Sequence, residues 1–88
     1  TDGIDPAEVI AAADANPTDV ARATLAADVE VFEAKVEEAF HRLIELVRVT
    51  AGDERTAARD HLIGLFNLIG DGDPRVIKAR TALANALF

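Results

Sequence analysis

Three proline residues, each preceded by Asn or Asp, constrain the fold of this chain more than any other sequence feature. The pairs are Asp5-Pro6, Asn16-Pro17 and Asp73-Pro74. An Asp or Asn side chain caps a helix by accepting hydrogen bonds from its first free N–H groups. Proline suits the first helical position because it has no N–H to leave unpaired. Each pair therefore predicts a helix start, and their spacing suggests a helical repeat.

The spacing of apolar residues predicts five helices and no strand. We expect the helices at residues 6–15, 17–32, 36–50, 54–69 and 74–88, with Gly52 and Gly70 ending the third and fourth. Apolar residues recur most clearly along the third helix: Val36, Ala39, Phe40, Leu43, Ile44 and Val47. Because the connections are short, neighbouring helices are expected to be antiparallel. The sequence therefore predicts an all-α domain of stacked helix pairs.

The residue types that are missing restrict the chemistry. Cys, Ser, Tyr, Trp, Gln and Met do not occur in the 88 residues, so disulfides and thiolate chemistry are excluded within the chain. The Glu-x-x-His element at Glu38 and His41 resembles part of a di-iron site, but a second copy is missing before His61. The run 71–73 is interpreted as helix capping rather than a calcium loop, since the loop's ligand pattern is absent. We expect a non-catalytic protein with no cofactor and no metal.

Charge and hydropathy narrow the class of partner. The formal net charge is −7, and residues 1–38 carry ten acidic against two basic side chains. This balance argues against nucleic acid, which needs lysines and arginines to neutralise phosphates. No apolar run approaches the roughly 18–20 residues of a membrane span. We therefore expect a cytoplasmic domain with neither nucleic-acid nor membrane partners, and its oligomeric state stays open.

Residues 16–51 resemble a tetratricopeptide repeat, which is a helix–turn–helix unit of about 34 residues with a boundary proline. Pro17 lies at that boundary, Ala39 at the small position where the two helices touch, and Leu43 at the large apolar position one turn later. The turn position that usually holds glycine is Ala34. The resemblance implies a partial repeat at 1–16, a complete pair at 17–51 and a terminal capping pair at 53–88.

The second half of the chain resembles a more specific family. The segments 37–40, 43–48, 53–59, 61–66, 70–74 and 82–88 are similar to the C-terminal domain of bacterial thioredoxin-like co-chaperones, the chaperedoxin family. This resemblance implies that the chain is the C-terminal part of a longer protein whose upstream domain has a thioredoxin fold. It also implies binding of unfolded client proteins or of chaperones.

The second helix is the expected binding surface. It is apolar on two sides, which predicts that one side packs inward while the other is covered by a neighbour or by a partner. On this helix the expected partner-binding residues are Thr24, Asp28, Val31 and Phe32. The partner would be a client, a chaperone or the upstream thioredoxin-like domain. The alternative is a structural module for oligomerisation or capping with no client.

Overall fold

Five α-helices follow one another in the computed structural model, which describes residues 5–87. They are α1 (Pro6–Ala15), α2 (Val20–Phe32), α3 (Val36–Val49), α4 (Gly52–Ile69) and α5 (Pro74–Leu87). Within these residues there is no strand. The predicted all-α fold with five helices is confirmed. Residue 88, predicted to end the last helix, and residues 1–4 of the expected partial repeat lie outside the described part.

Two of the three proline pairs start helices as predicted. The Asp5 carboxylate accepts a hydrogen bond from the N–H of Ala7 (3.0 Å), and Pro6 is the first residue of α1. In the same way Asp73 accepts from the N–H of Arg75 (2.8 Å) ahead of α5. In both helices the Asp side chain accepts from the backbone N–H two residues later, because the proline between them has no N–H to donate.

The third pair, Asn16-Pro17, does not start a helix, so the predicted start of the second helix was wrong. Asn16 closes α1 instead, because its side-chain amide donates to the carbonyl of Ala12 (2.8 Å). The cap of α2 is Asp19, whose carboxylate accepts from the N–H of Arg22 (3.1 Å). Pro17 therefore lies in the turn between α1 and α2.

Gly52, predicted to end the third helix, is the first residue of α4. The free backbone carbonyls at the end of α3 accept hydrogen bonds from side chains instead. The hydroxyl of Thr50 donates to the carbonyl of Leu46 (2.6 Å), and Arg55 donates to the carbonyls of Val47 (3.2 Å) and Thr50 (2.9 Å). With these carbonyls occupied, α3 ends without a glycine cap. Gly70 does end α4, with a φ of 114°.

The core is built around α3, which packs against α2, α4 and α5. Every α3 position predicted to be buried is buried. Phe40 of α3 meets Phe66 of α4 edge to face, with ring centroids 5.0 Å apart. The guanidinium of Arg80 in α5 lies 5.0 Å from the centre of the Phe66 ring. Because α3 touches three other helices, its spacing is the clearest in the sequence.

The last two helices are consecutive, but α5 packs mainly on α3 rather than along α4. Its buried residues are Val76, Ala79 and Leu83. The short connection 70–73 turns at Gly70, in the left-handed half of conformational space that glycine tolerates best. As a result, α3 lies between α2 and α5, and its polar edge borders an open cleft.

Candidate protein-binding surface

The four α2 residues predicted to contact a partner do not share one exposed surface. Phe32 is 92% exposed, and Asp28 is exposed too. Val31 packs against the core, whereas the hydroxyl of half-buried Thr24 donates to the carbonyl of Val20 (2.9 Å). Phe32 and Asp28 are therefore the two that face outward. Partner contact by this set stays a prediction.

Asp28 links α2 to α4 through His61. The Nε2 of His61 donates to Oδ1 of Asp28 across 2.7 Å, and both side chains are partly exposed. Short connections join α2 to α3 and α3 to α4, and each of these pairs packs together. Consecutive packed helices of this kind alternate in direction, so α2 and α4 run the same way, side by side. The contact between Asp28 and His61 places these two turns of α2 and α4 next to each other.

Two exposed apolar side chains lie beyond this polar contact. Phe32 follows Asp28 by one helical turn, and Leu68 follows His61 by two turns and is 71% exposed. Between His61 and Leu68, a side chain at Gly64 would meet no other atom within 4 Å, so the surface there is open. We name this surface the α2–α4 face, defined by five residues: Asp28, Phe32, His61, Gly64 and Leu68.

Three members of the α2–α4 face, His61, Gly64 and Leu68, were not among the residues predicted from the sequence. Leu68 lies off the spacing of the buried α4 residues Leu62 and Phe66, and that displacement is the signal that it faces outward. His61 gives no comparable signal, because its partner Asp28 is 33 residues away in the chain. The contact depends on how α2 and α4 pack.

A buried ion pair connects α2 to α3. Glu30 is only 4% exposed, and Arg42 donates to both of its carboxylate oxygens, at 2.8 Å and 3.3 Å. Arg42 also donates to Asp14 of α1 (2.9 Å), so one guanidinium joins three helices. The hydrogen bond to Glu30 is the main reason that the pKa of Arg42 is raised. Glu30 falls on the buried spacing of Ala23 and Ala27, which is the sequence signal for its burial.

A family model for the tetratricopeptide repeat matches residues 1–88. The chain belongs to the tetratricopeptide repeat family. Tetratricopeptide repeats are helical pairs that stack and generally mediate binding between proteins through extended surfaces. No solved structure matches the chain.

Three curated relatives of this tetratricopeptide repeat domain are mycobacterial. Two are uncharacterized proteins from two strains of Mycobacterium tuberculosis, and one is an uncharacterized protein of Mycobacterium bovis. Each is 47% identical over 81 residues, covering 92% of this chain but 27% of the relative. The chain therefore spans about a quarter of the length of the curated relatives it matches.

The candidate metal ligands of the tetratricopeptide repeat domain are spread apart. Over residues 5–87, no three His, Asp or Glu side chains converge on a point where they could hold an ion. His41 is exposed, and His61 bonds Asp28. In the predicted capping run, Asp71 pairs with Arg80 (2.7 Å). Asp73 pairs with Arg75, which lowers the pKa of that carboxyl to about 2.

The described helices of the tetratricopeptide repeat domain do not meet the requirements of a membrane span. None of those described is both long enough and apolar enough to span a membrane. The longest, α4, has 18 residues but carries charged side chains over its first half, including Asp53, Glu54 and Arg55.

Proposed function

We propose that this domain is a non-catalytic protein-binding module and that its partner lies on the α2–α4 face. The observation that carries the proposal is the exposure of Phe32, at 92%, together with that of a second apolar residue, Leu68, on the neighbouring helix α4. A large apolar side chain held in water on a rigid helix gains free energy only when something covers it. A partner segment would contact Asp28 and His61 as well as the two apolar side chains.

The expected strength of such a complex follows from the residues it covers. Burying one Phe or Leu side chain contributes about 1.5–3 kcal/mol, so Phe32 and Leu68 together contribute about 3–6 kcal/mol. A binding free energy of about 4 kcal/mol corresponds to a millimolar dissociation constant. Because association also costs the two partners translational and rotational freedom, these two residues alone support at most weak binding, and the polar pair would raise the affinity. Weak, apolar recognition suits a module that holds and releases its partner.

The proposed partner is an unfolded client protein or a chaperone, in the setting of a thioredoxin-like co-chaperone of the cytoplasm. The resemblance to the chaperedoxin family supports this setting, and exposed apolar side chains suit unfolded chains, which expose their own apolar residues. The division into a partial repeat (1–16), a complete pair (17–51) and a terminal pair (53–88) is part of the same proposal. An upstream thioredoxin-like domain would be a second occupant of the face.

The test compares two equivalent substitutions on exposed apolar residues. Phe32→Asp disrupts the α2–α4 face, whereas Ile77→Asp alters an exposed apolar residue of α5 that is 56% exposed. A reduced and carboxymethylated model protein, which stays unfolded, serves as the probe, and binding is followed by fluorescence anisotropy. We expect Phe32→Asp to weaken binding about tenfold or more and Ile77→Asp to leave it within about twofold. Equal losses in both variants, or no binding by the unaltered chain, would overturn the proposal.

A structural role is the second candidate, because the same exposure of Phe32 would be explained by a contact between two copies. Size-exclusion chromatography with light scattering separates the two functions. A dimer that Phe32→Asp converts to a monomer, without any binding of the unfolded probe, would favour the oligomerisation module. A monomer that binds the probe would favour partner binding.

A further inference from the structure

An open cleft of about 900 Å³ runs along α3 between the end of α1 and the start of α5. None of the residues of the α2–α4 face lines it. Its apolar floor includes Phe40 and Ile44 of α3, Ala23 of α2, and Ala79 and Ala82 of α5. Three of these five residues are alanines, so a ligand can approach the helix backbones closely. The cleft is thus a second apolar surface, separate from the first.

The charged edge of the cleft follows one side of α3. Glu37, His41 and Glu45 are four residues apart, so they form a row with steps of about 6 Å, and Glu38 lies beside its first member. Neither Glu37 nor Glu38 forms an ion pair within the described chain. At the α1 edge of the cleft, Asp14 has a side chain that is 63% exposed. This side of the cleft is acidic.

The opposite wall carries fewer charges and they are of the other sign. Lys78 and Arg75 of α5 line it, and the Arg75 guanidinium is already paired with Asp73 (2.7 Å). Across the whole lining there are five acidic and three basic side chains, counting the buried pair of Glu30 and Arg42. The cleft therefore complements a ligand with an apolar face and a net positive charge.

We propose that this cleft binds a cationic amphipathic helix from a protein partner. A helix with its side chains is about 10–12 Å across, so 900 Å³ accommodates roughly two turns. Lysines or arginines eight residues apart along such a helix are separated by about 12 Å, which is the separation of Glu37 and Glu45 along α3. Its apolar residues would lie on Phe40, Ile44 and the alanines.

We expect the ligand to be a helix rather than an extended segment because α3 is already surrounded by packed helices on its other sides. α3 packs against α2, α4 and α5, and the cleft is the position beside it that no described helix fills. Helix axes pack 8–10 Å apart depending on the side chains between them, and small residues such as Ala79 and Ala82 allow the closer spacing. A bound helix would extend the helix-on-helix packing of the fold to the far side of α3.

The experiment titrates the 88-residue chain with a synthetic helix of about 14 residues that has leucines on one face and lysines along its edge. Two further peptides are controls: one with the same composition in scrambled order, and one with glutamates in place of the lysines. Binding is measured by fluorescence anisotropy, and the site is located by amide chemical-shift changes. We expect the lysine helix to bind best, with changes centred on Glu37, His41 and Ala82.

Two pairs of matched variants test the charges and the floor. Glu37→Gln with Glu38→Gln removes two acids from the first turn of α3, and Asp53→Asn with Glu54→Gln removes two from the first turn of α4. We expect the first pair to weaken binding about five- to tenfold, because it removes two ion pairs with the peptide at once, each of which is worth little alone. We expect the second pair to leave binding within about twofold, because Asp53 and Glu54 do not line the cleft.

For the floor, Ala82→Trp fills the cleft, whereas Ala84→Trp places the same ring on an exposed position of α5 that does not line it. Loss of binding in Ala82→Trp only, with unchanged helicity in both variants, supports the cleft. Equal binding of the scrambled peptide, equal losses in matched variants, no binding of the lysine helix, or shifts centred on Phe32 would overturn it. Because Phe32→Asp leaves the cleft intact, failure of this proposal is distinguishable from failure of the first.

Discussion

The buried ion pair between Glu30 and Arg42 allows a prediction whose size can be worked from the structure. Arg42→Met keeps the length and the apolar stem of the side chain but removes the guanidinium. It would leave the Glu30 carboxylate, which is 4% exposed, without its two hydrogen bonds from Arg42. Removing one partner of a buried pair costs about 3–5 kcal/mol, because the remaining charge is neither solvated nor paired.

Replacing Glu30 instead of Arg42 is expected to cost less stability. After Glu30→Leu, Arg42 keeps its hydrogen bond to Asp14 (2.9 Å), and Asp14 is well solvated. The remaining charge therefore stays paired, and we expect a loss of about 1–2 kcal/mol. A domain of this length has a free energy of unfolding of about 4–13 kcal/mol, so Arg42→Met would remove a large share of it.

Urea denaturation followed by far-ultraviolet circular dichroism measures the loss of stability in each variant. The double variant tests whether an unpaired buried charge is the cause. With Glu30→Leu and Arg42→Met together no charge is left buried, so we expect the double variant to be more stable than Arg42→Met alone. The reasoning would be refuted if Arg42→Met cost less than about 1 kcal/mol, or if the two losses simply added.

Three further predictions concern local features of the fold. Ala34 has a φ of 64°, so Ala34→Gly should raise the free energy of unfolding by about 0.5–1 kcal/mol, measured by urea denaturation. Phe66→Ala should lower it by about 3–5 kcal/mol in the same assay, because Phe66 is fully buried against Phe40. Asp73→Asn should lower the thermal midpoint at neutral pH, since Arg75 holds the pKa of Asp73 at about 2, below the ordinary 3.8. The charge of Asp73 stabilises the fold above about pH 4, so the difference from the unaltered chain should disappear as the pH falls to about 2.

Each of these three predictions has an outcome that contradicts it. A less stable Ala34→Gly variant would mean that the turn gains more from alanine than it loses to the left-handed conformation. A small loss of stability in Phe66→Ala would mean that neighbouring core side chains move into the space left by the ring. A difference between Asp73→Asn and the unaltered chain that persists at about pH 2 would assign the effect to the amide's geometry rather than to the charge.

The helices themselves were largely predictable, and the errors have local causes. The spacing along α3 predicted its buried residues because three neighbouring helices cover that stripe. Asn16-Pro17 was misassigned because Asn also closes helices, and Asp19, two residues beyond the proline, competes for the cap. Gly52 was misassigned because Thr50 and Arg55 cap α3 with side chains, which no glycine rule anticipates.

The candidate surfaces were predictable only in part. Phe32 could be singled out because α2 has more apolar sides than its neighbours can cover. The part that Leu68 and His61 of α4 contribute to the same face depends on how α2 and α4 pack. The cleft along α3 was not expected, since it arises where α5 packs on α3 instead of along α4.

Patterns between residues that are close in the sequence are therefore enough to predict the helices and most of their ends. A cap involves residues two or three apart, as at Asp5 and Asp19, and an apolar stripe repeats every three or four residues. Three-dimensional packing is needed for contacts between distant residues, such as Asp28 with His61 and Glu30 with Arg42. Those contacts depend on the angles at which whole helices cross, and these angles depend on the combined packing of many side chains. For this reason the cleft along α3, and the part that α4 contributes to the α2–α4 face, could be recognised only in the folded protein.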